Sequence, residues 1–399
     1  MRRPGRQSVG LRDLTGICDR IWIVRARVVV VAVVAAGVTI GADGGLLGRG
    51  KVEPARQAER RAPSAGQGVE LRSEQRERRR ASRPGRAVGP VLVSSVHIRS
   101  RVVALAIGDG SLWIARFGAV SRLDPTTARL VARIATPHMG EDTALAFGDG
   151  SVWVRTGRGG ATVYRIDPST NRVIARIHVG APIEGIAFGA RRVWLTRPLR
   201  GPGQVIRIDS RTNHVAGAPM QVGPGPGQVV YGLHRVWVQN TSPASVMRID
   251  PGTGRVATVV GTRPVPYGSF VVGSIAIGYG SLWTVADNLL TRIDTRTSHV
   301  QARIRIPRAQ DIAIAACEVW VLAGPRSRNP TLYYPIKHTA AIWQVDPSSN
   351  RVIAKPIRLN TQQSFAVSVS HNSVWVPEYA NGTLTLTRFG LNQRSSRAG

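Results

Sequence analysis

The sequence predicts an all-β fold, a seven-bladed β-propeller of four-stranded blades, and three observations predict it. A tryptophan motif of the form GDGSLW recurs seven times after residue 103. A second motif, R-I-D-P-x-T, follows most copies, and successive tryptophans lie 37 to 55 residues apart, which brackets the roughly 40–45 residues of one blade. The repeated tryptophans are Trp113, Trp153, Trp194, Trp237, Trp283, Trp320 and Trp375.

Each part of the repeat predicts one element of a blade. The first strand is the apolar stretch represented by residues 104–107, in which large side chains alternate with alanine, so both faces can pack against neighbouring blades. A tight turn follows, in which Asp109 and Asp149 are turn residues, and the tryptophan strand comes next. The third strand ends at R-I-D, where Asp-Pro-x-Thr favours another tight turn. The fourth strand follows, as in residues 172–179 and 351–359.

The two ends of the repeat region predict how the ring closes. The seventh unit has no fourth strand after Phe389, whereas a lone strand, Val91–Ile98, precedes the first complete unit. Pairing Val91–Ile98 with residues 385–389 closes the ring and leaves no large open edge. The propeller is therefore predicted over residues 88–390, and residues 391–399 are predicted to be a disordered tail.

Arginine and aspartate recur together in the R-I-D motif. A spacing of two on a strand puts both side chains on one face. They could form a ring of cationic sites, but their repetition in blade after blade favours a structural role, and we interpret them as an ion pair and turn cap in each blade. The pairs are Arg122 and Asp124, Arg165 and Asp167, Arg207 and Asp209, Arg248 and Asp250, and Arg292 and Asp294.

Residues 1–48 predict an export signal or a membrane anchor. Seven arginines precede an uncharged apolar run, residues 28–42, as in a signal peptide. This run is shorter than the roughly 20 residues of a membrane-spanning helix, so a cleaved signal peptide and a retained anchor extending to Gly48 both stay open. Residues 49–87 are rich in Arg, Glu, Ser, Gly and Pro, which predicts a disordered linker. The expected location is extracytoplasmic, secreted or anchored in a bacterial plasma membrane with the propeller outside.

The net charge of +31 raises the question of a polyanionic partner. Only three of the 54 basic residues are lysine, and many arginines occupy one repeat position, which favours a structural role for them. Nucleic acid is therefore not an expected partner, and a polyanion-binding surface is the second alternative. The two cysteines, Cys18 and Cys317, flank the linker and predict no disulfide framework. We expect a monomer.

The candidate ligand-binding residues lie on the variable loops. In this blade order the connections between second and third strands and between blades share one face, and loops over a rigid scaffold carry function disproportionately. The largest insertion is residues 323–340. The candidates on these loops are Tyr333, Tyr334, Lys337, His338, Tyr267, Glu378 and Tyr379.

The starts of the innermost strands supply further candidates around the channel mouth. They carry acidic or amide side chains: Glu141, Asp142, Glu184, Gln228, Asp311 and Gln363. Such a ring can bind a cation or a cationic ligand, and it can equally consist of ordinary solvated loop ends. No catalytic triad, carboxylate pair or zinc spacing stands out, so we predict no catalytic residues, no metal site and no cofactor.

The unit G-x-G-S-[LV]-W-[IVT] followed by R-I-D-P-x-T-x-R-V resembles the propellers of the streptogramin (virginiamycin B) lyase-like superfamily. It is also similar to the related YVTN and NHL-type repeat proteins of bacteria. The resemblance covers residues 88–390 and lies in structural positions. It implies the fold, and it implies one alternative function: a carbon–oxygen lyase that opens a cyclic lactone peptide with the help of Mg²⁺.

These observations favour a binding or scaffold module rather than an enzyme. The leading hypothesis is an exported or membrane-tethered propeller that binds a protein, peptide or glycan on its variable loop face, with an envelope protein, peptide or glycan as its partner. The alternatives are the Mg²⁺-dependent lyase and the polyanion-binding surface.

Overall fold

The computed structural model describes most of the predicted propeller. The described residues are 91–98, 102–137, 143–156, 161–180, 182–241, 244–261, 274–286, 288–315, 318–324, 340–359, 361, 364, 366–370, 373–380 and 383–390. Within these ranges every regular element is a β-strand. No helix in the described part of the chain is long and apolar enough to cross a membrane.

The strands form seven antiparallel sheets, one for each predicted blade. Blade 1 contains β2 (Val102–Gly108), β3 (Ser111–Arg116), β4 (Ala119–Leu123) and β5 (Leu130–Ala135). Blade 2 contains β6 (Ala144–Gly148), β7 (Ser151–Arg155), β8 (Thr162–Asp167) and β9 (Arg172–His178). Blade 3 contains β10 (Ile186–Gly189), β11 (Arg192–Arg197), β12 (Pro202–Asp209), β13 (His214–Val215) and β14 (Met220–Pro224).

The remaining blades repeat this order. Blade 4 contains β15 (Pro226–Gly232), β16 (Arg235–Thr241), β17 (Ala244–Ile249) and β18 (Val256–Gly261). Blade 5 contains β19 (Ile275–Gly278), β20 (Ser281–Ala286), β21 (Leu289–Asp294) and β22 (Val300–Arg305). Blade 6 contains β23 (Ala309–Ala315), β24 (Glu318–Ala323), β25 (Ala341–Asp346), β26 (Arg351–Val352) and β27 (Ile357–Arg358). Blade 7 contains β28 (Ser368–Ser370), β29 (Ser373–Ala380), β30 (Thr383–Gly390) and β1 (Val91–Ile98).

The blades are arranged in a closed ring. The first strands of consecutive blades contact one another in the order β2, β6, β10, β15, β19, β23, β28 and back to β2. In blades 3 and 6 the outer strand is interrupted, so β13 with β14, and β26 with β27, are two halves of one edge strand. The continuous strand predicted over residues 351–359 is therefore two short segments. With that change, the predicted seven-bladed propeller of four-stranded blades is confirmed.

The predicted ring closure is also confirmed. Strand β1 pairs antiparallel with β30, with Val91 opposite Gly390 and Ile98 opposite Leu384. The N-terminal strand therefore serves as the outer strand of the last blade. Without β1 the last blade would have three strands, and the hydrogen-bonding groups along the outer edge of β30 would be unpaired.

The tryptophans form the core between blades. All seven are completely buried, and in blades 1 to 5 the indole Nε1 donates to the carbonyl of the glycine five residues earlier, as Trp153 does to Gly148 at 3.1 Å. That glycine has no room for a side chain, because a Cβ at Gly148 would lie 1.7 Å from the Phe188 ring of the next blade. In blade 6 alanine replaces the glycine, and the next blade carries a smaller residue, Val369.

The repeated arginine joins neighbouring blades, which corrects the predicted ion pair. Within its own blade, Arg165 Nε donates to the Ser151 hydroxyl at 2.8 Å. Arg165 Nη1 reaches the next blade, where it donates to the Ser210 carbonyl at 2.7 Å and to Asn213 Oδ1 at 2.9 Å. Its guanidinium lies 4.8 Å from the Trp153 ring centroid. Arg122, Arg292 and Arg388 make the corresponding contacts. For these four arginines the ion-pair interpretation was wrong, because the acceptor lies in the next blade of the ring. Arg207 Nε instead donates to the Ala216 carbonyl of its own blade at 2.9 Å.

The repeated aspartate caps its own turn, as predicted. Asp124 Oδ1 accepts the amides of Thr126 at 2.9 Å and Thr127 at 2.6 Å. These bonds, the Thr127 amide foremost, hold the pKa of Asp124 below its ordinary value. Within the described ranges, the motif aspartate that forms an ion pair is Asp250, and its partner is Arg235 at 3.4 Å. These turns between third and fourth strands lie at one end of the ring, together with the turns between first and second strands. We call this end the turn face.

Candidate functional site

The opposite end of the ring, which we call the loop face, carries the connections between second and third strands and between blades. The strand register places the start of each first strand beside the end of the second strand there: Asp311 lies opposite Leu322, and Ile275 lies opposite Thr284. Residues that are far apart in the sequence therefore meet at this end.

The loop end of the ring buries polar side chains at positions where other blades carry small or aliphatic ones. Gln228, Ser274 and Asp311 occupy the position that is Ala104 in blade 1 and Ala144 in blade 2. The buried polar side chains at this end include Arg155, Thr196, Gln228, Gln239, Asn240, Ser274, Thr284, Asp311 and Glu378. Burial of polar groups costs free energy unless each finds a partner, so the partners of these side chains determine what this end of the ring can bind.

Asp311 links three blades. Its carboxylate accepts the Val367 amide of blade 7 at 2.9 Å and the Ser274 hydroxyl of blade 5. Burial raises the pKa of Asp311 to about 6, although the hydrogen bonds from Ser274 and Val367 act in the opposite direction. Asp311, a predicted channel-mouth residue, therefore lies in the wall between blades rather than in open solvent.

Gln239 and Asn240 follow each other at the end of β16. The Gln239 amide nitrogen donates to Thr284 of blade 5 at 3.1 Å, and the Asn240 amide nitrogen donates to Ser245 at 3.1 Å. The other amide atom of each, Gln239 Oε1 and Asn240 Oδ1, is buried without a hydrogen-bond partner among the described residues. Two unused acceptors at one strand end are unusual in a folded protein.

Glu378 lies at the end of the second strand of blade 7, the position that Asn240 occupies in blade 4. Its side chain is 8% exposed. Its strand position is on the same side of β29 as Val376, which packs with Val367 and Leu322 in the core between blades 6 and 7. Among the described residues no hydrogen bond or ion pair satisfies the Glu378 carboxylate.

Other loop-end side chains join consecutive blades. Arg155 Nη1 donates to the Ile183 carbonyl of blade 3 at 2.8 Å. The Thr196 hydroxyl donates to the Gly227 carbonyl of blade 4 at 2.6 Å and accepts the Gly185 amide at the same distance. These residues were not predicted. Their signal in the sequence is a polar residue two places after the tryptophan, where blade 1 has alanine.

The predicted site residues divide into two groups. Glu184, which is half-buried, and the buried Asp311 and Glu378 are described, and Tyr379 lies in β29 with its side chain outside the described residues. The other candidates lie outside the described residues: Tyr333, Tyr334, Lys337, His338, Glu141, Asp142, Tyr267 and Gln363. Whether the two groups come together stays a prediction.

The described part of the chain contains no group of three or more His, Cys, Asp or Glu side chains placed to hold a metal ion. Asp311 is engaged with two neighbouring blades. The described residues therefore do not fit the Mg²⁺ site that the resemblance to the lyases implies.

Comparison with known proteins identifies the fold. No family model matches the chain, and no curated protein matches it. A solved structure of the mitotic checkpoint complex is 12% identical over 85% of this chain and 99% of that chain, with a TM-score of 0.59. The Pan2 WD40 domain of Neurospora crassa is 12% identical over 77% and 97%, with a TM-score of 0.56. The computationally designed Ika8 protein is 15% identical over 76% and 100%, with a TM-score of 0.52.

These similarities cover almost the whole of the other chains. Because the sequence identities are only 12–15%, they show the fold alone. The chain is a β-propeller. This fold commonly serves as a binding or scaffold module, and its particular ligands are set by the residues of each site.

Proposed function

We propose that this β-propeller is a binding module whose ligand, a protein, peptide or glycan of the cell envelope, contacts the loop face. The observation that carries the proposal is the pair of unused buried acceptors, Gln239 Oε1 and Asn240 Oδ1, together with the carboxylate of Glu378, a residue that is 8% exposed. Unsatisfied polar atoms at one end of a regular scaffold are expected where a ligand completes the hydrogen bonds.

The chemistry of these atoms favours one class of ligand. Amide oxygens and a carboxylate accept hydrogen bonds, whereas Arg116 Nε and Arg197 Nε, at the ends of β3 and β11, are buried donors without a partner among the described residues. The ligand should therefore supply both donors and acceptors, as the backbone of an extended peptide or the hydroxyls of a glycan do. The predicted loop tyrosines, Tyr333 and Tyr334, add aromatic rings with hydroxyl groups, which suit the same ligands. At the turn face the repeated aspartates are bonded within their own turns, and the unpartnered polar atoms there, among the described residues, include the indole nitrogens of Trp320 and Trp375, which lie in the core between blades.

The location belongs to the same proposal. Residues 1–48 have the composition of an export signal or anchor, and the proposal places the propeller outside the plasma membrane, either secreted or tethered. The repeat sequence resembles the streptogramin lyase-like and YVTN or NHL-type propellers, and we propose that relationship for the repeat unit without assigning the lyase reaction.

Site-directed photo-crosslinking in cells tests the proposal. A photoreactive amino acid at position 241, which follows Asn240 on the loop face, is expected to capture a defined envelope component, and the same group at position 126, on the turn face, is not. Alanine at Tyr333 and Tyr334 is expected to weaken binding of the purified component at least tenfold. Equal capture from both faces, or binding unaffected by the tyrosine changes, would contradict the proposed face.

A further inference from the structure

The outer strands of neighbouring blades share a short sequence that the binding proposal does not use. Residues 129–133 in blade 1 read RLVAR and residues 172–176 in blade 2 read RVIAR. The outer strand of blade 7 reads VLVSS at the same place, at the start of β1. Because blades 7, 1 and 2 are consecutive in the ring, these segments lie next to one another along the rim.

A β-bulge occurs at the same place in each of these strands. The register of the outer strand shifts by one residue beside the third-strand motif, which leaves Val93, Val131 and Ile174 without a directly opposed residue. In blade 5 the bulged residue is Gln301, which bonds back to Ser281 and Asp294 of its own blade. The bulge is therefore part of the repeat. Blades 7, 1 and 2 carry an exposed aliphatic side chain at its tip, and in blade 6 the same repeat position is Ile353, which is half-buried.

The bulge aliphatics and their neighbours are exposed to solvent. Leu92, Val93, Leu130, Val131 and Ile174 are each between 52% and 60% exposed. Five large aliphatic side chains that are more than half exposed therefore lie on the outer edges of three consecutive blades, a concentration that calls for an explanation in terms of a partner. We call these five residues, with Arg129, Arg133, Arg172 and Arg176, the rim patch.

The four arginines of the rim patch decide what kind of partner it fits. All four are exposed, and they flank the aliphatic residues on both sides in blades 1 and 2. The motif aspartates of the same blades, Asp124 and Asp167, are bonded to the amides of their own turns. A second copy of the same patch would bring like charges together, and bulges with flanking cations block the addition of a β-strand at this edge.

Exposed aliphatic side chains between arginines suit the surface of an anionic bilayer, where apolar groups enter the headgroup region and arginines contact phosphates. The chain itself delivers the patch to such a surface: the propeller begins at Val91, in blade 7, beside Leu92 and Val93, and the apolar residues 28–42 precede it. We propose that the rim patch docks the propeller edge-on against a bilayer containing anionic phospholipid.

The docking depends on the proposed tether only for delivery to the bilayer, and an edge-on orientation leaves the loop face free for ligand.

Fluorescence quenching in the full-length protein tests the docking. A chain with Cys18→Ala and Cys317→Ala receives a single cysteine at position 131, 174 or 301, labelled with an environment-sensitive dye. The protein is combined with vesicles of phosphatidylcholine alone or with phosphatidylglycerol, each carrying lipid-linked quenchers.

We expect the labels at 131 and 174 to be quenched on anionic vesicles and the label at 301, at the same repeat position in blade 5, to stay unquenched. Because each basic residue near such a surface contributes about a fivefold change in affinity, Arg133→Ala with Arg176→Ala should lower the docking constant about 25-fold. Arg296→Ala with Arg303→Ala, which removes the same charge from blade 5, should leave it unchanged.

Three results would overturn the docking. Equal quenching at 131 and 301 would show that the propeller approaches the bilayer in no fixed orientation. Co-flotation of the chain with vesicles without quenching at 131 would leave the tether in place and exclude the docking. Loss of heparin retention in the Arg133 and Arg176 variant, without any quenching at 131 in the parent, would make the rim patch a polyanion surface instead.

Discussion

Asp311 gives the stability of the propeller a pH dependence opposite to that of the turn-capping aspartates of the repeat, whose pKa values are lowered. Its carboxyl is 3% exposed, and its pKa is about 6 in the folded protein against an ordinary value of 3.8. A carboxyl with a raised pKa stabilises the fold below the ordinary value, and this contribution is lost as pH rises through 6. The difference of roughly two units corresponds to about 3 kcal/mol of unfolding free energy.

Asp311→Asn removes this titration and keeps an oxygen that accepts hydrogen bonds from Val367 and Ser274. We therefore expect the free energy of unfolding of the variant, relative to wild type, to rise by about 2.4 kcal/mol between pH 4 and pH 7.5, because part of the full difference has already been lost at pH 4. Urea denaturation followed by the fluorescence of the buried tryptophans measures it at both pH values. Parallel stability curves for the two proteins would refute the reasoning.

Asp250→Asn is the matched control, because the amides of Thr253 and Gly252 hold the pKa of Asp250 below its ordinary value. A lowered carboxyl pKa stabilises the fold above the ordinary value, and this contribution is lost as pH falls through the folded pKa. The Asp250 variant should therefore be less stable than wild type at pH 7.5, with the difference shrinking in acid.

Three further changes test the architecture. Deletion of residues 88–99 removes the closing strand, and we expect loss of folding; a soluble product that melts cooperatively would contradict the closure. Ser368→Ala removes a buried hydroxyl without a partner among the described residues and should add about 1 kcal/mol, or about 2 °C in Tm; an unchanged or lower Tm would argue against it. Gly148→Ala should cost roughly 1–3 kcal/mol, because its Cβ meets Phe188, and Phe188→Val should recover part of that cost in the double variant.

The blade order and the ring closure could both be predicted from the sequence, because both follow from the repeated pattern and from where it is incomplete. Seven copies of one pattern specify seven like sheets, and the missing strand at one end matches the extra strand at the other. The acceptor of each arginine could not be predicted from one unit, since Arg165 reaches Ser210 and Asn213, 45 and 48 residues away. A signal existed in the asparagines that follow the third strand: Asn171, Asn213 and Asn350 all have positive φ.

The candidate site was less predictable for a related reason. Glu378 was predicted from its place at the variable end of the last blade. Gln239 and Asn240 occur inside a strand and in a single blade, so the repeat gives no reason to separate them from structural residues. Their environment becomes evident only when the register brings strand ends from neighbouring blades together. Polar groups that lack a partner belong to the folded structure and cannot be identified in a single strand.

The affinity of a captured envelope ligand for two variants tests the central claim most directly. Titration calorimetry compares Glu378→Gln, at the loop face, with Thr126→Ala, at the turn face. If the loop face binds the ligand through its unused polar groups, Glu378→Gln should raise the Kd at least tenfold and Thr126→Ala should leave it unchanged. An unchanged Kd for Glu378→Gln together with a raised Kd for Thr126→Ala would place binding on the turn face and contradict the account.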